Sequence, residues 1–234
     1  MGRPARLRTV AIVVAAGQGA RFGAPKQFLT VGDQRLVDRA VAVAGAACDE
    51  VVVVLPEGRV WDGAPVAAAV AGGRNRSESV RAGLAAVAPD AEIAVVHDAA
   101  RPLATPELFE LVIDAVRAGA DAAVPALPIA DTLKRVDGDQ VVGTVERDGL
   151  VAVQTPQAFL VAALRAAHGD DADATDDAAL VEAAGGTVVV VAGDPRNLKV
   201  TNVADVAVVE ALLAALPGSG TLPGSGTLPA RGAP

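Results

Sequence analysis

The chain has 234 residues, which suits one domain with a sizeable hydrophobic core, with or without a small appendage. Its net charge of −8 and aromatic content of 2% argue against a nucleic-acid-binding surface and against a stacking platform for single strands. No apolar run reaches the roughly 18 residues that span a bilayer, and the single cysteine, Cys48, permits no internal disulfide and fits a reducing cytoplasm.

The N-terminus resembles a secretion signal, because three arginines precede the apolar stretch 10–16. That stretch continues directly into a glycine-rich loop, so cleavage would remove the most informative motif of the chain. We therefore interpret residues 1–8 as a leader and residues 9–216 as one domain. The remainder, 217–234, belongs to a Leu-Pro-Gly-Ser-Gly-Thr repeat and is typical of a flexible low-complexity tail.

Short β-branched runs alternate with alanine-rich helical patterns, which indicates an α/β fold with a mainly parallel sheet. The nearly continuous apolar character of the runs is typical of strands that are covered on both faces. The predicted strands are Thr9–Ala15, Glu50–Leu55, Ile93–His97, Ala122–Ala126 and Thr187–Val191. The predicted helices are Gln34–Ala46, Ser77–Val87, Pro106–Ala118, Ala158–Ala167, Asp177–Ala184 and Val203–Ala215, and Thr105 is the predicted N-cap of the third.

The segment 128–154 interrupts this alternation and is predicted to form a projecting β-arm. Asp137-Gly138 is typical of a hairpin turn, and no helical pattern separates the flanking stretches 132–136 and 141–145. An exposed two-stranded arm is marginally stable alone. We therefore expect a partner subunit to cover it.

The first predicted strand leads into the loop 15–27, whose sequence is AAGQGARFGAPKQ. Glycine lets backbone N–H groups approach phosphate oxygens, and Arg21 and Lys26 would neutralise a polyphosphate. The spacing is not that of a P-loop, and Phe22 interrupts a dinucleotide fingerprint. The alternative is an ordinary strand-to-helix loop with solvated cations, but three glycines together with two cations favour phosphate binding.

Two further segments lie at the ends of predicted elements. The glycines before the second predicted helix, with Ser79 in its first turn, would meet a base or phosphate, although a serine that caps its own helix is the simpler interpretation. Asp98 and Arg101 follow the strand 93–97 at the carboxyl edge of the sheet, where ligands bind. Asp98 would hold Mg²⁺ and Arg101 a phosphate, or the two would only stabilise the turn as an ion pair.

The remaining candidates carry weaker local signals. They are Thr132, Lys134 and Arg147 on the predicted arm, and Thr155 and Thr175 before predicted helices. Charged residues on an arm often only protect a strand edge, and threonines before helices often only cap them. Lysine occurs only at positions 26, 134 and 199, and its compact ammonium is not interchangeable with arginine at a tight phosphate site. His97 is predicted to be structural, because nothing near it in the sequence resembles a nucleophile.

Taken in order, these segments resemble the signature of sugar-phosphate nucleotidyltransferases, and more narrowly that of the 2-C-methyl-D-erythritol 4-phosphate cytidylyltransferase family of the non-mevalonate isoprenoid pathway. The resemblance runs from about Val10 to Leu213 and implies a Rossmann-like nucleotidyltransferase fold. The matching segments are AAGxGxRFxxPKQ at 15–27, GGxxRxxSV at 72–80, HDAARP at 97–102, DTLK at 131–134, TPQ at 155–157, TD at 175–176 and NLKVT at 197–201. Two positions depart from the family: Phe22 stands where methionine is common, and Arg74 where a carboxylate is often found.

The resemblance implies transfer of a cytidylyl group from CTP to 2-C-methyl-D-erythritol 4-phosphate, with Mg²⁺ and release of pyrophosphate, by a cytoplasmic homodimer. By position, it implies that Gly17, Gly19, Gly73, Ser79 and Ala99 contact CTP, and that Arg21, Lys26 and Lys199 surround the reacting phosphates. Asp98, Arg101, Thr132, Arg147, Thr155 and Thr175 would line the sugar-phosphate side, with Asp98 also near the metal. Because the arm interlocks two subunits in this family, Thr132 and Arg147 would serve the partner's site.

Three alternatives remain at this point. Ribitol 5-phosphate cytidylyltransferase would share the CTP loop and differ in the pocket around Thr132, Arg147 and Thr175. A non-catalytic CTP-binding regulatory protein would bind the nucleotide without turnover. An NAD-dependent oxidoreductase is the weakest alternative, because Phe22 breaks its fingerprint.

Overall fold

The centre of the fold is an eight-stranded sheet, seen in a computed structural model that describes residues 7–17, 22, 25–169 and 174–215. The strands are β1 (Thr9–Val14), β2 (Thr30–Val31), β3 (Gln34–Arg35), β4 (Glu50–Leu55), β5 (Ala68–Ala71), β6 (Ile93–Asp98), β7 (Ala122–Pro128), β8 (Leu133–Asp137), β9 (Gln140–Val145), β10 (Val151–Val153), β11 (Gln157–Leu160) and β12 (Val188–Ala192). The helices are α1 (Leu36–Ala47), α2 (Arg76–Ala85), α3 (Pro106–Arg117), α4 (Val161–Ala167), α5 (Asp177–Ala183) and α6 (Val203–Ala214).

The sheet is mostly parallel, as the sequence predicts. Its strand order is β12, β7, β11, β6, β1, β4, β5, and β10 pairs with the far end of β7. Strand β1 lies parallel to both β4 and β6, whereas β10 and β11 are antiparallel to their neighbours. Because β1, β4 and β6 are parallel, their carboxyl ends meet at one edge of the sheet.

The alternation of side chains along β1 separates two hydrophobic clusters on opposite faces of the sheet. Ala11 and Val13 pack in the cluster that contains α1 and α3, while Val10 and Ile12 pack in the cluster that contains α2, α4 and α5. A third cluster joins Val209 of α6 to the start of α1. The central strands are therefore covered on both faces.

Three local differences from the sequence prediction concern short strands. Gln157–Leu160 forms strand β11, so the predicted helix 158–167 begins only at Val161. Gln34 and Arg35 form β3, which delays the start of α1 to Leu36. The alanine-rich strand β5 was not predicted, and it pairs with β4 at the edge of the sheet.

Within the predicted arm 128–154, β8 and β9 form a separate two-stranded antiparallel ladder, whereas β10 joins the central sheet. The turn of the ladder contains Gly138 with a φ of 57°, a left-handed conformation that favours glycine. Among the described residues, no helix is long and apolar enough to cross a membrane. The tail 217–234 and residues 1–6 of the leader lie outside the described residues, so the division of the chain into leader, domain and tail stays a prediction.

The contact of α2 with the sheet allows a stability prediction. A Cβ atom on Gly83 would lie 2.5 Å from Cγ2 of Ile12 and 2.9 Å from Cγ2 of Val54. We expect Gly83→Ala to lower the free energy of unfolding by about 1–3 kcal/mol, because the helix must shift away from the sheet. Urea denaturation at 25 °C measures this change.

Gly45→Ala in α1 is the matched control. Its Cβ would lie 3.8 Å from Cγ2 of Val51, an ordinary contact, and the site is exposed. There the higher helix propensity of alanine should raise the free energy of unfolding by about 0.5–1 kcal/mol. Equal effects of the two substitutions would contradict the close packing of Gly83.

Candidate active site

A cavity of about 460 Å³ opens at the carboxyl ends of β1 and β6. Its walls come from the loop after β1, the segment between β5 and α2, the end of β6, and the segment before α6. The predicted site residues that line it are Gly17, Lys26, Gly73, Ser79, Asp98 and Lys199. The structure thus brings together residues from both ends of the chain at the edge where α/β sheets bind ligands.

The loop after β1 is held by a glutamine that the sequence analysis did not single out. The side-chain amide of Gln27 donates to the carbonyl oxygens of Ala15 (2.6 Å) and Gly17 (2.8 Å). Gln27 is buried and belongs to the short 3₁₀ turn Lys26–Phe28, so these bonds set Lys26 against the cavity. Gly19 and Arg21 lie outside the described residues.

The segment before α2 approaches the first loop closely. A Cβ on Gly72 would lie 2.4 Å from that of Ala16, so glycine is required there. Asn75 caps α2 by accepting from the N–H of Glu78 (2.7 Å). The hydroxyl of Ser79 instead accepts from the N–H of Gly73 (3.2 Å) and donates to the carbonyl of Asn75 (2.8 Å). The simpler interpretation of Ser79 as the cap is therefore wrong.

Arg74, the position that departs from the family pattern, lines the cavity beside Gly73 and is paired with a residue of α2. Its guanidinium forms an ion pair with Glu78 (2.7 Å), and its side chain is 92% exposed. The pair lies one turn apart on the surface at the start of α2. A residue held in this way leaves the backbone of Gly73 accessible to the cavity.

The electrostatic centre of the cavity is Asp98, the last residue of β6. Its Oδ2 accepts from Nζ of Lys199 (2.6 Å), and its Oδ1 lies 3.4 Å from Nε of Arg76. Burial would raise the pKa of Asp98, but the charges of Arg76 and Lys199 outweigh burial and hold that pKa well below its usual range. The carboxylate is therefore ionised at neutral pH and bracketed by two cations.

Thr155 supports Asp98 from behind. Its hydroxyl accepts from the backbone N–H of Asp98 (3.0 Å) and lies 3.3 Å from Nδ1 of His97. Burial lowers the pKa of His97 to about 4, so the ring is neutral at pH 7, and it packs on Phe109 at a centroid distance of 5.1 Å. These contacts support the structural role predicted for His97.

Among the described residues, the predicted site residues Ala99, Arg101, Thr155 and Thr175 do not line the cavity. Arg101 donates to the carbonyl of Asn197 (2.8 Å), and its buried Nε has no hydrogen-bond partner among the described residues. Ala99 is fully buried, and its N–H donates to the carbonyl of Val14 (3.1 Å). Thr175 is exposed just before α5, whose N-cap is Asp176.

Thr132 and Arg147 lie on the arm, away from this cavity. Both are exposed, and Arg147 donates to the carbonyl of Ala130 near the base of the arm. Lys134, the third lysine, donates to the hydroxyl of Thr144 across the ladder (2.6 Å). The arm residues therefore do not meet the cavity of their own chain.

Sequence reasoning missed Arg76, which lines the cavity and touches Asp98. The signal was available, since Arg76 is the arginine of the GGxxRxxSV segment. It also missed Asp177, the buried partner of Arg76 at 2.6 Å. No sequence pattern connects two residues that are 101 positions apart.

The sheet is mostly parallel, and a cavity lined by glycines and cations opens at the carboxyl ends of its strands. This arrangement is typical of a nucleotide-binding enzyme. The chain belongs to the IspD family, 2-C-methyl-D-erythritol 4-phosphate cytidylyltransferase, whose model matches residues 9–215.

Relatives of known name agree with this membership. The chain is 47% identical over 215 residues to 2-C-methyl-D-erythritol 4-phosphate cytidylyltransferase of Nocardia farcinica, a match that covers 87% of this chain and 93% of the relative. A crystal structure of the enzyme of that name from Thermus thermophilus is 35% identical and superposes with a TM-score of 0.77, covering 86% of this chain and 97% of that one. A crystal structure of a 4-diphosphocytidyl-2C-methyl-D-erythritol synthase is 32% identical with a TM-score of 0.78, covering 89% and 99%.

The family and the fold predicted from the order of the motifs are confirmed. The chain is a nucleotidyltransferase, a CTP-dependent cytidylyltransferase of isoprenoid biosynthesis. The residues that line the cavity are those from which a mechanism can be proposed.

Proposed function

We propose that the 460 Å³ cavity binds CTP and 2-C-methyl-D-erythritol 4-phosphate together and transfers the cytidylyl group between them. A phosphate oxygen of the acceptor attacks the α-phosphorus of CTP in line, and the bond from that phosphorus to the pyrophosphate oxygen breaks. The products are 4-diphosphocytidyl-2-C-methyl-D-erythritol and pyrophosphate. The observation that carries the proposal is the convergence of Lys26, Arg76 and Lys199 with Asp98 on one cavity.

The nucleotide side of the cavity is assigned to the two glycine segments. Gly17 and Gly73 would present backbone groups to CTP, and Gly19 would extend the first of these segments. Ser79 is oriented by its bond to Asn75 and fixes the N–H of Gly73. Ala99 lies beneath this side, so its part in nucleotide binding is to support the end of β1 through Val14.

The reacting phosphates are assigned to Lys26 and Lys199, together with Arg21. Two polyanions must approach each other, so the main tasks of the protein are positioning and charge neutralisation. No covalent protein nucleophile is required. In CTP-bound enzyme, Lys199 would exchange part of its contact with Asp98 for a phosphate oxygen.

The donor set also fits Mg²⁺. This ion keeps several waters and is usually held by one or two carboxylates plus substrate phosphates, and Asp98 supplies one ionised carboxylate at the cavity wall. Within the described residues, no group of three or more acidic, histidine or cysteine side chains forms a closed metal cage, which agrees with that mode. Bound there, Mg²⁺ would neutralise charge on the phosphoryl oxygens.

The acceptor side is assigned to Asp98, Arg101, Thr155 and Thr175 of one protomer and to Thr132 and Arg147 of its partner. The buried Nε of Arg101, which has no hydrogen-bond partner in the described part of the chain, supports this assignment, because a phosphate nearby would satisfy it. Thr155 would act mainly by holding the backbone of Asp98. A homodimer through the arm would bring the exposed Thr132 and Arg147 to the second cavity.

We also place the enzyme in the cytoplasm, which the single buried cysteine supports.

The arm carries the surface that such a dimer would bury. Val136, Val141 and Val142 are 58%, 62% and 56% exposed, which is costly for a ladder that stands alone. We expect Val141→Glu to shift the enzyme from dimer to monomer, because a buried charge in the interface would lack a partner. Light scattering coupled to size-exclusion chromatography measures the mass.

Val203→Glu is the control, since Val203 is 69% exposed on α6 and lies outside the arm. It should leave the dimer intact. A wild-type protein that elutes as a monomer at micromolar concentration would refute dimerisation through the arm.

Release of pyrophosphate tests the proposed reaction. The wild-type enzyme is incubated with CTP, Mg²⁺ and either 2-C-methyl-D-erythritol 4-phosphate or ribitol 5-phosphate. We expect turnover with the first acceptor only. Turnover only with ribitol 5-phosphate would favour the sister activity, CTP binding without turnover would favour a regulatory protein, and failure with both acceptors would overturn the transferase.

A further inference from the structure

Arg76 links the cavity to a buried carboxylate in the core, that of Asp177. It begins α2 and lines the cavity, where its Nε lies 3.4 Å from Oδ1 of Asp98. On the other side, its Nη1 donates to Oδ2 of Asp177 at 2.6 Å. The guanidinium is therefore shared between two carboxylates, and the contact with Asp177 is much the shorter.

Asp177 is fully buried as the first residue of α5. Its second oxygen, Oδ1, lies 2.9 Å from Nε2 of His168, so both carboxylate oxygens have partners. A buried carboxylate that loses its cation is strongly unfavourable, whereas a short charge-assisted bond is strong and directional. The short bond to the buried Asp177 therefore fixes where the guanidinium of Arg76 can lie.

Helix capping does not account for the charge at Asp177. The N-cap of α5 is Asp176, which accepts from the N–H of Ala179 (3.0 Å). Packing does not account for it either, because apolar residues in place of a buried ion pair are often neutral or stabilising. The feature that a carboxylate adds here is control over the position of Arg76.

The position of Arg76 matters for Asp98, which already accepts a short bond from Lys199 (2.6 Å). If Asp177 did not hold Arg76, the guanidinium would be free to close on Asp98 as a second short ion pair. A carboxylate held by two close cations would be a poor ligand for Mg²⁺ and for the acceptor. At 3.4 Å, the contact with Arg76 leaves Oδ1 of Asp98 more weakly paired than Oδ2, which accepts from Lys199 at 2.6 Å.

We propose that Asp177 is a positioning residue for cytidylyl transfer, acting through Arg76. It draws the guanidinium toward the core, so that Asp98 keeps one oxygen for the metal and substrates while Arg76 stays at the cavity wall. The proposal rests on the proposed function of the cavity. The expected effect of losing Asp177 is that of losing an outer-shell partner of a metal site, which costs about 10–100-fold in activity or metal affinity.

The test is a double-mutant cycle between Asp177→Asn, which keeps the size of the side chain and removes its charge, and Arg76→Gln, which replaces the guanidinium by a shorter neutral amide. Initial rates with CTP, Mg²⁺ and the acceptor give kcat and KM, and the wild type is measured first, so that failure of the proposed reaction is recognised separately. Asp177→Asn should lower kcat about tenfold or more, while KM for CTP changes by less than about threefold, because Gly17, Gly73 and Ser79 are untouched. In the Arg76→Gln background, Asp177→Asn should lower kcat no further.

Thermal unfolding of the same proteins is the second readout. Arg76→Gln alone leaves the Asp177 carboxylate buried without its cation, so its unfolding midpoint should be the lowest of the set. The double variant removes both charges and should recover part of the loss. Asp114→Asn is the control, since it removes an aspartate that pairs with an arginine (Arg117, 3.0 Å) on the surface of α3, outside the cavity; its kcat should stay within about twofold of the wild type.

Three results would overturn the proposal. The first is a folded Asp177→Asn enzyme with wild-type kcat. The second is an additive cycle, in which Asp177→Asn lowers kcat by the same factor with or without Arg76. The third is that none of the variants folds at 25 °C, in which case the pair is a structural element of the core.

Discussion

Lys26→Ala is expected to lower kcat at least about a hundredfold while leaving the fold intact. Lys26 lines the cavity on the 3₁₀ turn that Gln27 fixes against the loop after β1. In the proposed reaction, its ammonium would neutralise charge that builds up on the α-phosphoryl oxygens and on the departing pyrophosphate. Loss of one preorganised donor at such a site costs on the order of 3–4 kcal/mol. Initial rates of pyrophosphate release measure the effect.

Arg117→Ala provides the comparison. It also removes one cation, but from the surface of α3, where Arg117 pairs with Asp114 (3.0 Å). Its kcat should remain within about twofold of the wild type, because exposed pairs of this kind contribute little. If Lys26→Ala turned over CTP at a near-wild-type rate, the assignment of Lys26 to the phosphates would be wrong.

Asp98→Asn is expected to have an effect of similar size, about a hundredfold or more in kcat. The amide keeps the size of the side chain and the backbone bond from residue 98 to Thr155. It removes the charge that pairs with Lys199 and that would hold Mg²⁺. The variant should also need a higher Mg²⁺ concentration for half-maximal rate, which a magnesium titration of the initial rate measures.

Asp62→Asn is the matched substitution outside the cavity. Asp62 is exposed and pairs with Arg35 (2.6 Å) near the start of α1. This variant should keep both the rate and the magnesium dependence of the wild type. An Asp98→Asn enzyme that retained more than about a tenth of wild-type turnover would exclude Asp98 as an essential metal ligand.

The valine-rich strands could be predicted from the sequence because burial on both faces gives them nearly continuous apolar runs. β4 has the predicted bounds, and β1 ends one residue early. The same reasoning failed for β11, because the sequence from Ala158 to Ala167 satisfies a helical pattern and only pairing with β6 and β7 makes its first part a strand. β5 was missed since alanine has a low β propensity, which its pairing with β4 overrides.

The cavity residues could be predicted where they lie in short glycine or charged segments at the ends of strands. The supporting contacts could not, because they join residues that are distant in the chain. Asn197 donates to the carbonyl of Thr155 (2.9 Å), and Arg76 meets Asp177, across 42 and 101 positions. Periodicity and spacing carry no information on such pairs, which exist only after the strands have assembled.

The return of the arm to the sheet, at Gln154, has a consequence for an assembly of two chains. Gln154 is buried, and its amide donates to the carbonyl of Asp194 (2.9 Å) and accepts from the N–H of that residue (3.1 Å). Strand β10, just before it, is paired with β7. The base of the arm is thus held to the body by the pairing of β10 with β7 and by the hydrogen bonds of Gln154. In a dimer formed through the arm, the spacing and mutual angle of the two cavities would be set by this rigid attachment.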